Sequence, residues 1–145
     1  MPERVELEAG GGGPMRKSIL IGGALVVLAN APGMLSGALA GPWEDGMAAY
    51  NRGDYMPAIR LFRPLAEKGN PKAQSVIGVM YRKGEGVARN SLRAFMWFSL
   101  AAARGDAKAK AELHEVSRDM TPAEISQAQE MMQTCEASNY RQCEY

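Results

Sequence analysis

Apolar residues along this chain fall repeatedly at the spacing of one helical face, and glycines and prolines break the runs. Ala73, Ile77, Met80 and Tyr81 stand at i, i+4, i+7 and i+8, and Ala94, Trp97, Phe98, Ala101 and Ala102 at i, i+3, i+4, i+7 and i+8. Each set makes one stripe on a helix. The alanines let neighbouring helices come close, while Trp97 and Phe98 fill the space between layers. No segment alternates with period two for long enough to predict a strand.

The breaks divide the chain into six predicted helices. The first runs from Trp43 to Arg52 and stops at Gly53; Asp54 is placed to cap the second, Tyr55 to Lys68, which ends at Gly69. Asn70 and Pro71 supply a cap and a first-turn proline for the third, which reaches Lys83 before Gly84. After the loop from Gly84 to Arg89, Asn90 caps the fourth helix, which continues to Arg104 and Gly105. Asp106 caps the fifth, and Thr121, Pro122, Ala123 and Glu124 form a capping-box signature for the sixth.

Two of these stretches repeat each other. Ala58, Phe62, Ala66, Gly69, Lys72 and Ala73 return as Ala94, Phe98, Ala102, Gly105, Lys108 and Ala109, an offset of 36 residues in every case. A period in the thirties predicts stacked helix–turn–helix units, an α-solenoid. Such folds mostly present a surface to another macromolecule, so a protein or peptide partner is expected.

Between Ala73 and Leu113 the chain closely resembles the Sel-one-like repeat, a relative of the tetratricopeptide repeat. The resemblance is carried by Ala73, by Ile77-Gly78-Val79-Met80-Tyr81, by Gly84-Glu85-Gly86-Val87, and by Ala94, Trp97, Ala101, Ala102, Gly105 and Ala109, with Gly69 at the preceding turn. It implies an all-α fold, a short α-solenoid of antiparallel helix pairs, and a protein-binding or scaffolding role with no partner specified. It also puts Gly78 where paired helices cross most closely. The preceding unit departs from the pattern, having the tight turn from Asn51 to Tyr55 instead of the Gly-x-Gly-Val loop. After Leu113 the pattern fades into a polar, Gln-rich sixth helix, which suits a cap on the last apolar face. The end of the chain resembles secreted members of the family, in which a helix finishes in a cysteine bridged to another a short loop later, here Cys135 and Cys143.

The N-terminal part reads differently. Met15-Arg16-Lys17, the apolar run Ile19 to Ala29 and the sequence Ala38-Leu39-Ala40 make a secretory signal over residues 15–40, with cleavage expected after Ala40. The apolar run is shorter than the roughly 20 residues a spanning helix needs, so no stable membrane span is expected after cleavage. Residues 1–14 are acidic and glycine-rich, unlike the start of a signal, and are expected to be either a misassigned start, with translation beginning at Met15, or disordered. The remainder divides into a repeat body, 41–134, and a tail, 135–145, in a periplasmic or secreted protein. In that setting a cysteine pair is expected to be bridged.

Charge narrows the partner. The net charge is +1, so no basic excess invites nucleic acid. His114 is the single histidine, which excludes metal sites built from several imidazoles. Gly84-x-Gly86 follows a helix and reads as a turn, not a phosphate cradle. Glu112 and Glu115 are an ordinary surface pair, and Met80 and Met96 read as core filling. With no base–nucleophile set, neither catalysis nor a cofactor is expected. The alternatives are a cell-wall-associated enzyme or penicillin-binding relative, and an accessory structural subunit of an envelope assembly.

The tetratricopeptide-like arrangement turns Lys72, Ser75, Val79 and Arg82 toward a concave face. The period adds Lys108, Ala111, Glu115 and Arg118, a set that implies an acidic segment or carboxylate terminus as ligand. Trp43 and Tyr50, at the uncovered first end, either pack on the second helix or form an aromatic docking patch.

Overall fold

Four side chains start helices in this protein by capping them, and they fix the repeat. The computed structural model describes residues 40–143. Its helices are α1 (Pro42–Arg52), α2 (Tyr55–Ala66), α3 (Pro71–Lys83), α4 (Ser91–Ala103), α5 (Ala107–Ser117) and α6 (Pro122–Ala137), with no strand among the described residues. Asn70 accepts from the Ala73 amide at 3.0 Å, Asn90 from Arg93 at 2.9 Å and Asp106 from Ala109 at 2.7 Å. Thr121 and Glu124 complete a reciprocal capping box at α6. Each satisfies an amide that the first helical turn leaves without a partner.

Asp54 departs from its expected role. It occupies the cap position of α2 without a side-chain bond to the helix, because its carboxylate accepts from Arg52 Nε at 2.9 Å across the tight turn at Gly53. The second helix also ends earlier than expected, at Ala66, and the fourth at Ala103. The chain tightens there into short-range bonds that recur one period apart. Lys68 donates to the Leu65 carbonyl at 3.1 Å and Arg104 to Ala101 at 3.1 Å; Gly69 donates to Ala66 at 2.9 Å and Gly105 to Ala102 at 3.0 Å. Gly69 (φ 80°) and Gly105 (φ 91°) then take the left-handed conformation that reverses the chain.

Consecutive helices pack on one another from α1 to α5, and α6 packs on α4. The result is an all-α, short α-solenoid of antiparallel helix pairs, with α1, α3 and α5 in one layer and α2, α4 and α6 in the other. Ala58, Ala66, Ala73, Ala94, Ala101 and Ala109 are all fully buried where the helices meet, and Phe62, Trp97, Phe98, Ile77, Met80, Met96 and Leu100 fill the space between. Both sequence-based core methionines are therefore in place.

Gly78 is a close-approach glycine, as the resemblance implied. A Cβ there would lie 2.7 Å from two carbons of the buried Phe98 ring. The first pair has the same device, because a Cβ on Gly46 would lie 2.6 Å from the Phe62 ring. Sequence comparison misses it, since the short α1–α2 turn breaks the 36-residue register between glycine and ring.

The Gly-x-Gly loop fastens the second pair to the first. Gly86 (φ 74°) lies so close to the start of α2 that a Cβ would be 2.8 Å from Tyr55 Cβ. Next to it, the Glu85 carboxylate accepts from the Tyr50 hydroxyl at 2.7 Å, and the rings of Tyr50 and Tyr55 stand 5.3 Å apart. Burial, and then the bond to Glu85, raises the Tyr50 pKa well above the usual tyrosine value. Its folded form thus holds the proton more tightly than the unfolded chain. That stabilisation is complete below about pH 10 and lost as pH climbs beyond it. The melting-temperature gap between wild type and Tyr50→Phe should therefore narrow between pH 9 and 11.5; a constant gap would show that the Glu85 contact does not form in solution.

The tail is not peripheral. Cys135 lies inside α6, two residues before its end, and is bonded to Cys143 with Cα atoms 4.6 Å apart. Cys135, Tyr140 and Cys143 are all buried in the hydrophobic core. The Tyr140 hydroxyl accepts a hydrogen bond from the Arg104 guanidinium, which also stands 5.2 Å from the ring centroid. That guanidinium in turn covers Gly69, so the end of the chain is tied to the α2–α3 turn. The signal read at 15–40, apart from Ala40, and residues 1–14 lie outside the described residues.

Candidate binding groove

The same caps that start α3 and α5 place two lysines in equivalent positions. Lys72 and Lys108 each follow one residue into the helix, one period apart and both exposed. Facing them from α1 are Trp43 and Met47, one helical turn apart. Trp43 rests on Phe62 of α2 with ring centroids 5.3 Å apart. These side chains, together with Ser75, Val76 and Asp106, line a groove of about 290 Å³. Trp43 thus packs on α2 and also lines the groove, and Tyr50 packs on α2 against Tyr55.

The groove has an apolar side and a cationic side. Trp43 and Met47 form the first; Lys72 and Lys108 bring ammonium groups to the second, where the N-termini of α3 and α5 add positive potential. The Asp106 carboxylate is engaged by the Ala109 amide at 2.7 Å. Ser75, 4% exposed, is the one buried polar residue of the lining. Such a surface can hold an apolar side chain and a carboxylate side by side.

Three of the eight residues assigned to the concave face line this groove: Lys72, Ser75 and Lys108. Val79 belongs to the core instead. Arg82 reaches across to α5, its guanidinium 2.9 Å from Glu112 Oε2, and Glu115 pairs with Arg118 at 3.1 Å. Ala111 is exposed outside the lining. The physical reason is that α5 packs on α3 near the Arg82–Glu112 pair, which fills the space the equal spacing had left open. The groove is therefore confined to the end near the helix starts, while Glu115 and Arg118, like Ala111, are exposed outside it. His114 is exposed on α5, and no group of metal-ligating side chains occurs among the described residues.

Sequence reasoning left Met47 and Val76 out of the site and used Asp106 only as a cap. The missed signal was an i, i+4 spacing, Trp43 to Met47 and Lys72 to Val76, which puts each pair on one helical face.

The helix pair α3–α4, its Gly-x-Gly loop and the turn at Gly105 are the part of the chain that matches a known repeat family. Residues 71–106 match the Sel1 repeat. This Sel1 unit supplies Lys72, Ser75, Val76 and Asp106, while Trp43 and Met47 come from the pair before it and Lys108 from the helix after it. The groove is thus assembled across three consecutive units. Over 63 residues the chain is also 36% identical to the exopolysaccharide production negative regulator of Rhizobium meliloti (strain 1021). That stretch is 43% of this chain and 24% of the relative, so the chain spans about a quarter of the relative's length.

Proposed function

We propose that this protein is an exported binding or scaffolding module that holds a segment of a partner protein in the α1–α3–α5 groove and carries out no reaction of its own. Sel1 repeats generally mediate protein–protein interaction. The observation that carries the reading here is the juxtaposition of Trp43 and Met47 with Lys72 and Lys108 on one accessible face. Arg82 and Arg118, further along α3 and α5, are paired with Glu112 and Glu115. Export is supported by the signal-like residues 15–40 and by the buried Cys135–Cys143 bridge, a feature of oxidising compartments. No helix among the described residues is long and apolar enough to cross a membrane.

The test is affinity capture from periplasmic extract with wild type and a Lys72→Glu, Lys108→Glu variant shown to be folded by circular dichroism. The captured bait should have an intact mass beginning at Gly41, and the variant should lose at least one partner of the wild type. Retention of every partner at physiological salt would remove the groove from the mechanism, and a bait retaining residues 15–40 in the membrane would overturn cleavage.

A further inference from the structure

Resting on the reading of this groove as the binding site, we infer that it selects a peptide segment with one large apolar side chain beside a single carboxylate, and rejects a run of acids. The charges lining the groove are Lys72 and Lys108 against Asp106, an excess of one positive charge. The other cations assigned to this face are neutralised, Arg82 by Glu112 of α5 and Arg118 by Glu115. At the apolar end, Glu44 and Asp45 follow Trp43 in the first turn of α1, outside the lining, and their negative charge disfavours further carboxylates there. A ligand therefore has one orientation, with its carboxylate toward α3 and α5 and its apolar side chain toward Trp43 and Met47. Ser75 and Val76 complete the lining between the two ends. A volume of about 290 Å³ falls at the foot of the range for small-molecule sites, roughly 300–1,000 Å³. That holds one large side chain and its neighbours, not an extended tract.

Two tryptophans make the inference measurable. Trp97 is 1% exposed and far less sensitive to an added ligand, whereas Trp43 lines the groove and should report binding by its emission. The full protein is titrated with acetylated, amidated nonapeptides of glycine and serine carrying Leu-Asp, Leu-Asn, Ala-Asp or Asp-Asp-Asp-Asp at the centre. The Leu-Asp peptide should bind at least tenfold more tightly than each of the others. Lys72→Ala and Lys108→Ala should each weaken Leu-Asp while leaving Leu-Asn unchanged, and Met47→Ala should weaken Leu-Asp and Leu-Asn by the same factor. Equal binding of the four-acid peptide would reduce the groove to a simple cationic patch, and equal binding of Leu-Asn would remove the carboxylate from recognition. If no peptide changes the emission while partner capture is lost in the Lys72→Glu, Lys108→Glu variant, this peptide chemistry falls and the groove reading stands. If capture is unaffected by that variant, the groove reading itself falls.

Discussion

Gly78→Leu is expected to destabilise the protein by about 1–3 kcal/mol, the usual range for an overfilled core. The Cβ alone would sit 2.7 Å from Cδ1 and Cε1 of Phe98, nearer than carbons approach, and leucine adds three further carbons. The ring cannot swing away, because Phe98 is fully buried among fully buried neighbours. Intrinsic helix preference pushes the other way, since glycine in a helix interior costs about 1 kcal/mol relative to a good helix former. The sign of the result therefore decides the packing: an open position would gain stability and this one should lose it. Urea melts at constant m-value are the measurement. Phe98→Ala alone should cost about 3–5 kcal/mol, and the double variant should cost less than the sum, because leucine at 78 enters the space the ring vacates. A raised melting temperature for Gly78→Leu would mean that α3 presents a different face to α4. Gly46→Leu, against Phe62, should show the same sign with a smaller effect, because among the described helices α1 packs chiefly on α2 and can shift locally.

What the sequence disclosed and what it hid differ in range. The caps at Asn70, Asn90, Asp106 and Thr121 were legible because each depends on residues three positions apart. The buried alanine stripes were legible because helical period and repeat period point to the same positions. Lys72 and Lys108 could be assigned to one face from the repeat alone. The fate of Arg82 could not, because its bond to Glu112 depends on how closely α5 approaches α3, which no local pattern encodes. Asp54 illustrates the limit at short range: its residue type suits a cap, yet Arg52 two positions earlier takes the carboxylate. The glycine–phenylalanine contact of the first pair was hidden by a loop-length difference that moved Gly46 out of register with Gly78.

Loss of the Cys135–Cys143 bond is expected to cost about 2–3 kcal/mol from the chain-entropy effect of closing so short a loop. Read from sequence, the bond closes a tail beyond the repeats, so its reduction would fray only the end. The fold assigns it more, since both sulfurs and Tyr140 are buried in the core and Tyr140 holds Arg104 over Gly69. The backbone at Asn139 and Tyr140 is left-handed, with φ 56° and 64°, a conformation that asparagine tolerates but tyrosine rarely adopts, so packing must hold Tyr140 there. In Cys135→Ala, Cys143→Ala, which keeps the buried positions apolar, the loop should open, Arg104 should lose its partner and the turns at Gly69 and Gly105 should exchange amide hydrogens faster. Each kcal/mol lowers the melting temperature by about 4–8 °C in a domain of this size. A typical reserve of about 5–15 kcal/mol leaves the repeats folded at 25 °C, and Trp97 should keep the emission of a buried indole. Exchange changes confined to residues 136–143 would show that the tail does not brace the repeat, whereas exposure of Trp97 at 25 °C would show that the bond holds the whole stack together.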